Sequence, residues 1–312
     1  MSTIFGPVQS RRFGVSLGID LSDSTKQCNF DCLYCELAPK RAMLHQENIT
    51  PIETIMCDLT KALELHPAID VITITANGEP TMYPYLDQLI TQINQIKGEI
   101  QTLILSNSAC LNDPAVFETL LKLDQVKLSL DAATPETFKK IDRPAEGINI
   151  DTIIDSITRF SHVFRGKLFL EILFVKGVND TLTEIESLNR ALRGVSCDRI
   201  DIGTIDRPPA YAVQGLSFEE LYSLSHHFDA SLPIHIVSRN HATATPSSYT
   251  EEEILTTLDK RPLTIDDIHA LFDPDALERF HHLVKTGKIT SIERSNIIFF
   301  IPIENIDRKR LK

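Results

Sequence analysis

Val71-Ile72-Thr73-Ile74-Thr75 is a run of apolar and β-branched residues with no helical period, the composition of a strand buried on both faces. Working outward, similar runs stand at Thr102-Leu103-Ile104-Leu105, Val126-Lys127-Leu128-Ser129-Leu130, Leu168 to Phe174 and Ile200-Asp201-Ile202. Their starts lie 31, 24, 42 and 32 residues apart, about what a strand, a crossover helix and two loops consume. Between them Leu86, Leu89, Ile90, Ile93 and Ile96 recur at helical spacing, as do Leu182, Ile185, Leu188 and Leu192, so each stripe is expected to face a core. An earlier strand, Val15 to Ile19, precedes Val71 by 56 residues and leaves a long loop between them. The expectation is an α/β fold with six parallel strands. The lack of a Gly-x-Gly-x-x-Gly fingerprint favours a partial or full barrel over a doubly wound sheet, although the periodicity fits both.

The chain has 312 residues, with 42 % hydrophobic and 24 % charged, an ordinary globular composition that excludes a mini-scaffold and a disordered chain. Lys and Arg number 31 against 43 Asp and Glu, a formal net charge of -12, which argues against a nucleic-acid binder driven by its whole surface. No stretch approaches the roughly 20 apolar residues that cross a bilayer; Ile297 to Ile301 is broken by Pro302, and the N-terminus lacks the apolar stretch of a signal peptide. A cytoplasmic location is expected. Six cysteines, three of them between Cys28 and Cys35, suit a reducing compartment better than a disulfide framework.

After Ile234-His235-Ile236-Val237 the pattern gives way to Ala242-Thr243-Ala244-Thr245-Pro246-Ser247-Ser248. This divides the chain into a barrel over residues 1–240, a linker over 241–248 and a small domain over 249–312. In the last, helices are expected over Glu251 to Leu258, from Thr264 as a cap, and over Asp275 to Thr286, followed by a hairpin of Ile289 to Ile292 and Ile297 to Ile301. Three short helices and a hairpin describe a winged-helix-like domain. Residues 241–305 carry six Lys/Arg and eleven Asp/Glu, so docking to a protein partner or lying as a lid over the barrel fits better than phosphate neutralisation. The basic tail Arg308-Lys309-Arg310-Leu311-Lys312 reads as a solvated end.

Cys28-Asn29-Phe30-Asp31-Cys32-Leu33-Tyr34-Cys35 places three thiols at x3 and x2 spacing in the long loop after the first strand. Three readings are open: buried core thiols, a zinc site with His45 as fourth ligand, or an iron–sulfur cluster whose fourth iron keeps an open position. Structural zinc wants four closed ligands, and no second Cys-x2-Cys is present. Ligand count and softness favour the cluster. Cys57, Cys110 and Cys197 are isolated and are expected to be buried thiols; His226-His227 and His281-His282 are adjacent pairs that cannot share one ion from a helix face.

Cys-x3-Cys-x2-Cys with Tyr34 before the last cysteine, followed by β-α repeats, resembles the radical S-adenosylmethionine superfamily over roughly residues 5 to 237. Ser10-Arg11-Arg12-Phe13-Gly14, Leu17-Gly18-Ile19-Asp20, Asn77-Gly78-Glu79-Pro80-Thr81 and Thr204-Ile205-Asp206-Arg207-Pro208-Pro209 are similar to the branch containing the tRNA wybutosine-synthesis enzymes and their uncharacterised bacterial relatives. The resemblance implies a (β/α)6 partial TIM barrel with a [4Fe-4S] cluster held by Cys28, Cys32 and Cys35, and S-adenosylmethionine on the fourth iron. Tyr34 would lie beside the adenine, and Asn77, Gly78 and Glu79 would take the place of the superfamily's Gly-Gly-Glu motif at the methionyl amine. Gly78 lets the backbone approach closely, whereas Asn77 departs from the usual glycine. Glu79 reads as structural or amine-binding rather than as a general base. Ser129, Asp131 and Asn107 stand at strand ends, where family members bind ribose hydroxyls or the carboxylate and where barrel sites assemble, or else they satisfy loop backbone. Asn179 reads as a turn residue, and Arg207 as either an anion ligand or a surface ion pair.

The implied activity is reductive cleavage of S-adenosylmethionine to a 5′-deoxyadenosyl radical that abstracts hydrogen from an unidentified substrate, an oxidoreductase-type reaction in which the cluster and its bound cofactor carry the chemistry. Flavodoxin or ferredoxin would supply electrons. A tRNA base is the alternative substrate, and an iron–sulfur redox-sensing regulator acting through the winged helix is the alternative class.

Overall fold

The computed structural model describes residues 3–10, 13–22, 25–237, 246, 248–260, 262–294 and 297–305. Arg11, Arg12, residues 241–245 and 247 of the expected linker, and the basic tail 308–312 lie outside the described residues.

The chain runs β1 (Ile4–Ser10), β2 (Gly14–Asp20), α1 (Ile52–Leu65), β3 (Val71–Thr75), α2 (Leu86–Ile96), β4 (Gln101–Ser106), α3 (Pro114–Leu120), β5 (Gln125–Ser129), α4 (Pro135–Ile141), α5 (Ile150–Val163), β6 (Lys167–Phe174), α6 (Leu182–Leu192), β7 (Arg199–Thr204), α7 (Phe218–Ser225) and β8 (Ile234–Ile236). These strands form one sheet in sequence order. β2 through β8 pair in parallel, while β1 pairs antiparallel with β2. The six expected strands are all present, and the count is corrected to eight. β1 pairs antiparallel with β2, a pairing that needs no crossover helix, and β8 is only three residues long, so neither carries the β-α signature.

Side chains alternate across the sheet. Leu17, Ile19, Ile72, Ile74, Val126, Leu128, Leu170, Ile172, Ile200 and Ile202 pack into the main core with the helices. Asp20, Thr73, Thr75, Leu103, Lys127 and Glu171 instead line the concave face. The two helical stripes hold except at their ends: Ile96 and Leu182 are 44 % and 57 % exposed, because each stands at a helix terminus beyond the packed turns. These parallel strands and their helical crossovers fit a partial TIM barrel, with its strand C-termini at one rim.

Beyond the barrel, α8 (Glu251–Lys260), α9 (Ile265–Leu271) and α10 (Pro274–Lys285) precede an antiparallel hairpin of β9 (Ile289–Arg294) and β10 (Ile297–Pro302). Thr264 and Asp267 form a capping box at α9. Tyr249, Ile254, Leu258, Phe272 and Phe280 build a second core, and Val8 of β1 belongs to it. Tyr249 also donates its hydroxyl hydrogen bond to the Pro7 carbonyl. β1 therefore serves both cores. No helix among the described residues is long and apolar enough to cross a membrane.

Candidate functional site

The cysteine loop leaves β2 and lies across the rim, held at several points by backbone hydrogen bonds. Asp31 N–H donates to the Asp142 carbonyl at 3.0 Å, Leu33 N–H to Ile141 at 2.8 Å and Ala210 N–H to Cys35 at 2.8 Å. Its closest join is to the loop after β3. Gln27 N–H donates to the Asn77 carbonyl at 2.8 Å and Glu79 N–H to the Gln27 carbonyl at 3.1 Å. Gly78 sits between them at φ +144, and a Cβ there would lie 1.8 Å from the Gln27 carbonyl oxygen. Only glycine permits that approach.

Cys28, Cys32 and Cys35 are all free and partly buried. Burial is the main influence on each thiol: it pushes Cys28 up to about 12, Cys32 well above its ordinary value, and Cys35 upward. Metal ligation at these positions must therefore release protons. Phe30 N–H approaches Cys28 Sγ at 3.4 Å, and Asn107 Nδ2 lies 3.7 Å from the same sulfur while donating to Asn29 Oδ1 at 2.7 Å.

Glu79 is buried with both oxygens engaged, accepting from Thr81 N at 3.0 Å, Thr81 Oγ1 at 2.5 Å, Ser106 Oγ at 2.8 Å and Asn107 N at 2.7 Å. It ties the ends of β3 and β4 together. Burial raises its pKa, against the pull of these donors. Asn77 N–H donates to Asp20 Oδ1 at 3.0 Å and to Ser22 Oγ at 2.5 Å.

Tyr34 and Asp131 meet: the phenol donates to Asp131 Oδ2, and Leu173 N–H donates to Asp131 Oδ1 at 2.7 Å. Burial lifts Asp131 to about 7. The Ser129 carbonyl accepts from Ser108 Oγ at 2.9 Å. Tyr34 and Asn77 line the main cavity, while Ser129, Asp131 and Asn107 border a smaller recess behind Tyr34. The two groups of predicted residues thus share a rim and occupy opposite sides of Tyr34. Asn179 is fully buried, donating to Asp131 O and Leu173 O at 2.8 and 2.9 Å and accepting from Val175 N at 2.8 Å, as its turn reading requires.

The main cavity has a volume of about 730 Å³. Its wall carries a Lys127–Glu171 ion pair at 2.6 Å, with Lys127 buried. Arg207 donates to Glu36 at 2.5 Å at the rim, beside Cys35. Phe13 and Phe169 meet edge to face at 5.2 Å and Arg199 lies 4.7 Å over Phe169.

Sequence reasoning missed a polar network beside the cysteines. Lys26, buried, donates to Asp31 at 2.8 Å, and Asp31 also accepts from Tyr211 at 2.5 Å. Burial alone would lower Lys26, but Cys35 and Asp31 raise it. A lysine two residues before the first cysteine was the available signal. Asp20 stood at the end of the Leu17-Gly18-Ile19-Asp20 run, but its pairing with Lys260, 240 residues away, had no local signal.

The donor set fits an iron–sulfur cluster. Three soft thiols, none in a disulfide, stand on one loop, and Cys35 lines the main cavity. His45 is exposed, so the zinc alternative lacks a buried fourth ligand. Cys57 is exposed, which corrects the expectation of a buried thiol: α1 buries Ile52, Ile55 and Leu59, and Cys57 faces away from them. Cys110 accepts from Asn29 Nδ2 at 3.4 Å, and both Cys110 and Cys197 are partly buried.

Residues 23–188 match the profile of the Radical SAM superfamily. The UPF0026 protein of Helicobacter pylori strain J99 is 38 % identical over 299 residues, covering 95 % of this chain and 96 % of the relative. A radical SAM methyltransferase from Sphaerobacter thermophilus superposes with a TM-score of 0.57 at 16 % identity, covering 72 % of this chain and 67 % of that one. Streptococcus suis SuiB bound to S-adenosylmethionine gives 0.54 at 18 % identity, covering 74 % and 53 %. The structural likenesses concern the fold.

Proposed function

The chain belongs to the radical SAM superfamily, and on that premise we propose that Cys28, Cys32 and Cys35 hold a [4Fe-4S] cluster at which S-adenosylmethionine binds. When bound, cluster and cofactor supply a 5′-deoxyadenosyl radical that abstracts hydrogen from a substrate. The observation that carries this reading is the backbone join between Gln27, next to the first cysteine, and Gly78. It brings the loop that carries the three free thiols against the loop after β3 at one edge of the main cavity, which Cys35 and Asn77 both line.

In this reading Asn77 and Gly78 offer backbone to the methionyl end, Tyr34 packs beside the adenine, and Asn107 orients Cys28. Glu79 acts from behind by fixing the loop, since its oxygens already accept four hydrogen bonds. Ser129 and Asp131 shape the recess behind Tyr34, and Asp131 positions that ring. The substrate occupies the lumen, where Lys127 and Glu171 favour a polar group and Phe5 and Phe13 supply an apolar surface. A small molecule is favoured over a tRNA base because the chain is net negative at -12. α8 to β10 act as a winged-helix-like unit docked on the barrel, and flavodoxin or ferredoxin serves as electron donor.

The test is anaerobic reconstitution, with iron content, the EPR signal of the reduced protein and 5′-deoxyadenosine as readouts. Replacing Cys32 with Ala should abolish cluster and cleavage together. Retained 5′-deoxyadenosine formation in that variant, or a wild-type chain that takes up zinc alone, would overturn the assignment.

A further inference from the structure

Lys260 is the last residue of α8, in the second core's unit, yet its ammonium contacts the barrel at Asp20, the last residue of β2. The pair is buried, with Lys260 and Asp20 side chains 12 % and 3 % exposed. Asp20 divides its oxygens. Oδ2 takes Lys260, while Oδ1 accepts from Asn77 N at 3.0 Å, Ser22 N at 3.1 Å and Ser22 Oγ at 2.9 Å. Asn77 in turn accepts from Gln27 N–H, one residue before Cys28. A single polar chain therefore runs from the C-terminal unit through Asp20 and Asn77 to the cysteine loop.

Docking does not require this pair. Val8 is shared with the second core, Tyr249 bonds to Pro7, and His66 Nε2 meets Glu253 Oε1 at 2.8 Å; of these residues Val8 borders the cavity, whereas the two polar contacts are made by residues that do not line it. A buried ion pair is a poor way to gain stability, because desolvation of both charges offsets their attraction. Lys260 and Asp20 instead both line the cavity, together with Asn77, Tyr34 and Cys35. Without Lys260, the Asp20 carboxylate would stand as an uncompensated charge against the loop that takes the methionyl end, whose own carboxylate it would repel.

We propose that Lys260 is a positioning residue supplied to the active site by the C-terminal unit: through Asp20 it fixes the Asn77 backbone and neutralises the cavity edge for S-adenosylmethionine. The inference rests on the function proposed above. It gives the C-terminal unit a part in the barrel's own site, so that displacing α8 lowers cofactor affinity.

The experiment uses the full, reconstituted chain and measures the S-adenosylmethionine dissociation constant by calorimetry, beside iron content and melting temperature. Lys260→Met should weaken binding about tenfold, within the range of ordinary site–site coupling, with iron content unchanged. Lys260→Arg should restore it, and Glu253→Ala, which breaks the His66 docking contact and the Thr250 hydrogen bonds at the start of α8 but removes nothing that lines the cavity, should leave it within twofold of wild type. If Lys260→Met compromises folding, the same comparison is made in an Asp20→Asn background, which leaves no lone buried carboxylate; there the lysine substitution should add no more than twofold. Wild-type affinity in a folded Lys260→Met protein, an equal loss in Glu253→Ala, or a full tenfold further loss in the Asp20→Asn background would overturn the proposal. A wild-type protein with a sound cluster and no affinity for S-adenosylmethionine would overturn the functional reading, and this inference with it.

Discussion

Gly78→Ala tests the join between the two loops. The new methyl would lie 1.8 Å from the Gln27 carbonyl oxygen and 2.4 Å from its carbon, both backbone atoms that cannot rotate aside. The φ of +144 adds strain for any L side chain, about 1–3 kcal/mol. Moving the loops apart removes the Gln27–Asn77 and Glu79–Gln27 hydrogen bonds, at about 1 kcal/mol each. The sum is about 3–5 kcal/mol, or on the order of 10 °C in melting temperature if the whole chain responds. Gly147→Ala is the control: its φ is +91, but nothing lies within 4 Å of its added methyl, so it carries strain of about 1–2 kcal/mol alone. Thermal melts of the metal-free proteins and iron content after reconstitution are compared. Gly78→Ala should melt well below the control, or, if the loop detaches locally, load little iron at a similar melting temperature. Equal melting temperature and equal iron loading in the two variants would refute the reasoning.

Two further outcomes concern the barrel alone. Asp124 accepts from Lys97 Nζ at 2.8 Å, Thr102 N at 2.8 Å and Thr102 Oγ1 at 2.9 Å. Burial pushes its pKa up, but these donors more than offset that and hold it below the ordinary 3.8. A depressed folded pKa contributes stability above about pH 4 that is lost as pH falls through the folded value; Asp124→Asn should lower the melting temperature at pH 7 and flatten its fall below pH 4. Glu184, 2 % exposed, accepts from Ala133 N, Thr134 N, Thr134 Oγ1 and Thr137 Oγ1, tying α6 to the start of α4. Glu184→Ala strands these donors and should cost about 2–4 kcal/mol in urea unfolding; a loss under 1 kcal/mol would count against that network.

The strand pattern was legible because both faces of a parallel strand are constrained, one by the helices and one by the lumen. Leu103 and Leu105 kept β4 apolar even though they line a cavity. Lys127 is the exception: a lysine in an apolar run signals nothing until β6 is known to bring Glu171 alongside it. β8 was passed over for its length, and β1 because an antiparallel edge strand has no crossover helix to announce it. At the site, the cysteines and Asn77-Gly78-Glu79 were visible as motifs. Lys26 and Lys260, which help hold them, were not, since a charged side chain in a loop or at a helix end reads as solvated, and Asp20 was visible only as the end of a strand run.

By itself the sequence determined the repeated β-α order, the three-thiol loop and the glycine at Gly78, because each follows from local backbone geometry or from ligand spacing along the chain. Tertiary structure decided what those parts do to one another. Only the closing of β2 against β3 sets Gln27 on Gly78, and only the packing of α8 on β1 carries Lys260 to Asp20. Hydrogen bonds and ion pairs between distant segments have no period of their own, so they become readable once the apolar faces have fixed which loop ends share the rim.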